Sequence, residues 1–72
     1  MADKLSNRLR DLREAKNLTQ AQLADLIGVS RKTVNTVENG VFVPSTTVAL
    51  KLAAALECRV EELFSLIEQP RL

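Results

Sequence analysis

Arg31, Lys32, Asn35 and Thr36 are the residues of this chain best suited to polar recognition. Their spacing puts them on one side of a helix. Arginine can bond bidentately to the edge of guanine and asparagine to the edge of adenine, while lysine adds a point charge and threonine a hydroxyl. The chemistry on offer is hydrogen bonding and charge pairing. Bond-making chemistry finds no support: there is no His, and Cys58 is the single Cys. A lone thiol completes neither a Cys–His pair nor a metal site. Ser30 and Ser45 stand where helix caps belong. Glu61 and Glu62 fall in the first turn of a helix, where the macrodipole alone favours acidic residues. No glycine-rich phosphate loop is present. An enzyme, a metal and a cofactor are therefore not expected, and no small-molecule site is evident.

Two short helices must position the four residues. The first spans Gln20 to Ile27, with Leu23, Ala24 and Ile27 on one buried stripe. Thr19 is its N-cap candidate and Gly28 ends it, glycine entering the left-handed conformation without a Cβ penalty. Val29 is an apolar plug. Ser30 caps the second helix, Arg31 to Asn39, in which Val34 and Val37 face inward and Gly40 closes the end. A turn this short, passing through a glycine, sets two helices at a steep angle of about 90–120°. The inner faces are used by apolar residues, which leaves Arg31, Lys32, Asn35 and Thr36 to solvent. Arg31, first in its helix, suits a phosphate as well as a base.

The pattern LTQ-xx-LA-xxxGVS-xx-T-xxx-VENG, from Leu18 to Gly40, resembles the lambda-repressor-like, Cro-type (XRE) helix-turn-helix regulators. The resemblance runs on through Pro44-Ser45, Leu50 to Leu56 and Val60 to Phe64, and so covers nearly the whole chain. It implies an all-α, five-helix domain that binds a double-stranded DNA operator as a homodimer, with repression the commoner use. It implies that the third helix enters the major groove, with Arg31, Lys32, Asn35 and Thr36 at base edges. Gln20, Arg8, Ser30, Thr33 and Asn39 are the expected phosphate contacts. Gln20 can equally brace a side chain of the recognition helix or be an ordinary first-turn polar residue. Arg13 and Glu38 are expected to form a buried ion pair tying the first helix to the third. The runner-up reading keeps the same fold as a protein-interaction or antitoxin-type module.

Composition agrees with one small domain, residues 1–72 with a core over 5–68. The chain has 72 residues, 46% of them apolar, which excludes intrinsic disorder. Two Phe and no Tyr or Trp leave no stacking platform for single-stranded nucleic acid. No apolar run is long enough for a membrane span. A single cysteine suits a reducing, cytoplasmic setting. The net charge is only +1, but its distribution is uneven: residues 1–40 carry seven Lys/Arg against five Asp/Glu, and residues 41–72 three against four.

The flanking segments complete the expected fold. Leu5, Leu9 and Leu12 mark a first helix over Leu5 to Lys16, with Arg10 and Lys16 on a solvated face and Arg10 paired to Glu14. Val41, Phe42 and Val43 form an apolar loop where relatives carry polar or basic residues. There Phe42 is expected to pack beneath the loop while one valine stays exposed. Ser45 caps a fourth helix whose inner stripe is Val48, Leu52, Ala55 and Leu56. Glu57 stands where the regulators that this chain resembles usually carry glycine, so a left-handed backbone is expected there. Cys58 reads as a core residue. A fifth helix, Val60 to Glu68, carries more apolar surface than one stripe needs. Leu63 and Val60 complete the core; Phe64, Leu66, Ile67 and Leu72 are left for a dimer interface. The competing view has Phe64 and Ile67 cap the domain's own core.

Overall fold

Five helices and one two-stranded ribbon account for most of residues 4–67, the part of the chain that this computed structural model describes. The order is β1 (Lys4–Asn7), α1 (Leu9–Ala15), α2 (Gln20–Ile27), α3 (Arg31–Glu38), α4 (Thr46–Ala55), α5 (Val60–Leu63) and β2 (Phe64–Ile67). No helix among the described residues is long and apolar enough to cross a membrane.

The helix starts follow their caps. The Thr19 hydroxyl accepts from the Gln22 N–H, and the Gln22 side chain accepts from the Thr19 N–H in return, a reciprocal capping box. Ser30 and Ser45 each accept from the N–H three residues on. Gly28 ends α2 at φ +74°, and the Val29 N–H donates to the Ala24 carbonyl across the turn. Val29 packs against the core as the plug between the two helices.

Every helix gives to one core. Leu9 comes from α1; Leu23, Ala24 and Ile27 from α2; Val34 and Val37 from α3; Leu52 and Ala53 from α4, with Leu56 just after it; and Leu63 from α5. Val48, Ala55, Val60 and Cys58 pack on its margin. Each fully buried Leu or Val contributes about 1.5–3 kcal/mol. The layer is thin, so single losses matter.

The ends of the domain correct the all-α reading. The first helix starts at Leu9, and Leu5 lies in β1. Phe64 to Ile67, expected to continue the last helix, form β2. The two strands pair antiparallel, with Leu5 opposite Leu66 and Asn7 opposite Phe64. Asn7 explains the late start of α1. Its side-chain oxygen accepts from the Leu9 N–H, and its amide donates to the Val37 carbonyl. The Arg8 N–H is meanwhile held by the Leu63 carbonyl. These bonds to α3 and α5 override the helical periodicity of the leucines. In β2 the backbone turns extended at Phe64, where a partner strand satisfies groups that a fifth helix would have bonded internally.

Lys16, expected on a solvated face, is paired with a distant residue: its ammonium lies 2.7 Å from Glu57. Glu57 itself has φ +55°, the left-handed backbone anticipated at that glycine-like position. That conformation costs a residue with a Cβ about 1–2 kcal/mol. Glu57→Gly is therefore expected to raise stability by about 0.5–1 kcal/mol, after glycine's own entropic cost. Urea denaturation checks this, and a destabilised variant would show that the Lys16 contact outweighs the backbone strain.

Candidate nucleic-acid interface

Glu38, the last residue of α3, organises the polar side of the helix pair. Its side chain is 0% exposed. One carboxylate oxygen accepts from Arg13 Nε at 2.6 Å. The other accepts from Gln20 Nε2 at 3.1 Å, Arg13 Nη2 at 3.3 Å and Arg10 Nε at 3.5 Å. Arg13, 11% exposed at its side chain, also donates to the Leu18 carbonyl just before α2. One carboxylate thus ties α1, α2 and α3 together. Among the described residues no buried side-chain polar atom lacks a partner.

The protonation states follow. Burial alone pushes the Glu38 carboxyl up, but the hydrogen bonds from Arg13 and Gln20, the Arg13 charge and the Arg10 bond outweigh it and hold it below the usual carboxylate range. The bond to Glu38 raises the Arg13 guanidinium, against the opposing effect of its burial. Both groups stay charged at neutral pH. Burial pushes the Cys58 thiol up, which keeps it protonated and unreactive. Among the described residues no group of His, Cys, Asp or Glu is placed to hold a metal.

The network reaches the recognition face. Gln20 Oε1 accepts from Asn35 Nδ2 at 3.5 Å, Asn39 Nδ2 donates to Asn35 Oδ1 at 3.2 Å, and Arg10 Nη2 donates to Asn39 Oδ1 at 3.4 Å. With Glu38 these side chains close a ring. Gln20 is in its bracing role. Asn35 has both ends of its amide engaged. Asn39 is the C-cap of α3 and borders a small groove with Arg8 and Arg10, which brings Arg8 to the same rim. Arg10 joins this network and does not pair with Glu14, a contact across 28 residues that no local spacing signals.

The remaining residues divide by exposure. Arg31 and Lys32 are exposed at the start of α3, and among the described residues neither enters an ion pair. The Thr36 hydroxyl is turned back to the Lys32 and Thr33 carbonyls. Ser30 and Thr33 hydroxyls lie 3.0 Å apart and bond to each other. The loop after α3 folds back on it, the Val41 and Phe42 N–H groups both donating to the Thr36 carbonyl. Phe42 is not tucked beneath this loop: it is 50% exposed, and both valines are more open still. The tight return to Thr36 leaves the loop no depth in which to bury the ring.

Of the four residues expected at a dimer contact, Phe64 packs on the domain's own core. Leu66 and Ile67 are exposed. Leu72 lies outside the described residues.

The helix-turn-helix family model matches residues 9–63. An uncharacterised HTH-type transcriptional regulator of Bacillus subtilis, YgzD, is 35% identical over 65 residues, which is 90% of this chain and 98% of that protein. The cryptic phage CTXphi transcriptional repressor RstR of Vibrio cholerae is 42% identical over 83% of this chain and 54% of its own. The crystal structure of the restriction-modification controller protein C.AhdI of Aeromonas hydrophila superposes with a TM-score of 0.73 at 47% identity. That match covers 76% of this chain and 83% of the controller.

The geometry of Glu38 yields two expectations. Removing one partner of a buried pair strands the other charge, so Glu38→Ala should cost about 3–5 kcal/mol in chemical denaturation. Arg10→Ala, at an exposed partner, should cost about 0–1 kcal/mol. A loss below 1 kcal/mol for Glu38→Ala would place the pair effectively in water. The second expectation concerns acid. A carboxyl whose folded pKa lies below its ordinary 4.5 gives stability that is present above that pH and lost as pH falls through the folded value. Thermal melts from pH 6 downward should show this limb in the native chain and a flatter one in Glu38→Gln.

Proposed function

The chain belongs to the helix-turn-helix family of DNA-binding transcriptional regulators, and on that premise we propose that it reads a double-stranded operator in the major groove with α3. The observation that carries this reading is the division of α3 into two faces. Val34 and Val37 are buried and Glu38 anchors the helix end, while Arg31 and Lys32 stand exposed and uncommitted. A helix held this rigidly presents its N-terminal half to base edges at a fixed angle. Lys32 and Asn35 read bases, with Asn35 exchanging its internal bonds for an adenine edge; Arg31 serves a base or a phosphate. Arg8, Gln20, Ser30, Thr33 and Asn39 surround this face and set its register on phosphates, aided by the free N–H groups that begin α2 and α3. Occupancy of such a site in the cytoplasm represses transcription.

The same proposal includes a homodimer. One such motif spans few base pairs, and two copies about a two-fold axis read half-sites ~34 Å apart. The ribbon supports this. An isolated two-stranded sheet is marginal, and among the described residues neither edge carries a further strand. Leu66, 63% exposed, and Ile67 lie on opposite faces of β2, so a second copy laid along the β2 edge covers both. The contact is thus expected from a strand, in place of the helix face that hydrophobic periodicity suggests.

Selection from a random duplex pool tests the reading. A recovered consensus whose affinity falls steeply with salt is expected. Lys32→Ala should then lose about 1–3 kcal/mol and relax one base position. No recovered consensus, or binding indifferent to salt, would favour the protein-interaction alternative. Sedimentation of the native chain against Leu66→Lys/Ile67→Lys tests the dimer: a native chain that stays monomeric, free and on DNA, refutes it.

A further inference from the structure

The apolar loop Val41–Val43 has no part in the reading above, yet it lies against the recognition helix. Val41 and Phe42 are bonded through their N–H groups to the Thr36 carbonyl. Together with Ser30, Lys32, Thr33 and Thr36 they line an open trough of about 280 Å³ beside the exposed face of α3. The trough is apolar for a specific reason. The hydroxyl of Thr36 is turned in to the backbone of its own helix, and those of Ser30 and Thr33 share one bond at its edge. Val41 and the half-exposed Phe42 complete the lining.

We infer that this trough reads thymine, by taking up its C5-methyl group. The inference rests on α3 entering the major groove, and deepens that reading by naming what the loop recognises there. The thymine methyl is the one methyl group that the edges of the four base pairs display in that groove. Apolar contact from threonine methyls and phenylalanine is a known means of reading it. Lys32 also lines the trough, and its ammonium suits adjoining phosphates or a guanine edge. An apolar trough facing a polyanion would otherwise be a liability: it takes water from phosphates and returns no hydrogen bond. Thymine removes that conflict, since its methyl demands none. Val41, Phe42 and the methyl of Thr36 thereby become specificity-determining groups, and the loop has exchanged phosphate grip for base discrimination.

The test uses the full chain and the duplex it selects from a random pool. Each thymine of that duplex is replaced in turn by deoxyuridine, which removes the methyl and keeps every base-pairing group. Affinity is read by fluorescence anisotropy. At one or two positions in each half-site the native chain should weaken about fourfold, the factor for one methyl-sized group taken out of water. Phe42→Ser/Val41→Ser should bind thymine and deoxyuridine duplexes alike. Thr36→Ser, which keeps the inward hydroxyl and deletes only a methyl, should shrink the difference. Phe42 and Val41 are exposed, so these variants should fold, and a thermal melt verifies it. If no consensus is recovered, the DNA reading itself fails. If a consensus is recovered and the deoxyuridine scan is flat, or folded Phe42→Ser/Val41→Ser keeps the native profile, the thymine inference is overturned. A flat scan with a loss of dimer in the same variant would assign the trough to a second copy of the chain.

Discussion

A buried carboxylate with no water to fall back on is the constraint from which the rest of this domain follows. Glu38 is enclosed, and its charge is tolerable only because Arg13, Gln20 and Arg10 all donate to it. Desolvation would otherwise force it neutral. Such a pair is not the cheapest way to hold three helices together, since apolar packing of similar volume often does as well. What it adds is direction. The arginine fork and the amide accept only one arrangement of α1, α2 and α3, so the pair sets the angle at which α3 stands out from the core.

The same carboxylate couples the interior to the face of α3. From Glu38 the bonds pass through Gln20 to Asn35, then through Asn39 to Arg10 and back. The network is buried at Glu38, where full satisfaction makes it rigid, and exposed at Arg10 and Asn39. Gln20 and Asn35 are thus held in place by bonds within the domain. Arg31 and Lys32 sit outside the ring, exposed and in no ion pair among the described residues. A domain whose net charge is only +1 depends on this placement, because its total charge supplies little attraction.

The chain ends are joined by a different interaction. Asn7 and Arg8 bond to Val37, Leu9 and Leu63, and this clamp puts β1 beside β2. The ribbon therefore grows from the core outward. Phe64 and Asn7 lie at its root, against the domain, and Leu66 and Leu5 pair farther out. Leu66 and Ile67, on its outer part, are exposed.

Local chemistry determined a good deal by itself. The caps Thr19, Ser30 and Ser45, the left-handed Gly28, and the buried stripes of α2 and α3 depend on neighbours within about five residues, and spacing reveals them; the strained Glu57 was legible through the resemblance. The core stripe of α4 was legible for the same reason. The Arg13–Glu38 pair was legible only through the resemblance, because 25 residues separate its partners. Tertiary structure alone decided the rest. Leucines at i, i+4 and i+7 describe a helix from Leu5, yet Asn7 and Arg8 found partners on α3 and α5 and the helix began at Leu9. Phe64 to Ile67 carry residues that suit a strand or a helix, and only a second strand from the far end of the chain settled which. Arg10 and Lys16 looked like a solvated face because their acceptors, Glu38 and Glu57, lie 28 and 41 residues away. Sequence patterns record what a residue can do with its near neighbours; which distant group claims its hydrogen bonds is fixed when the helices pack.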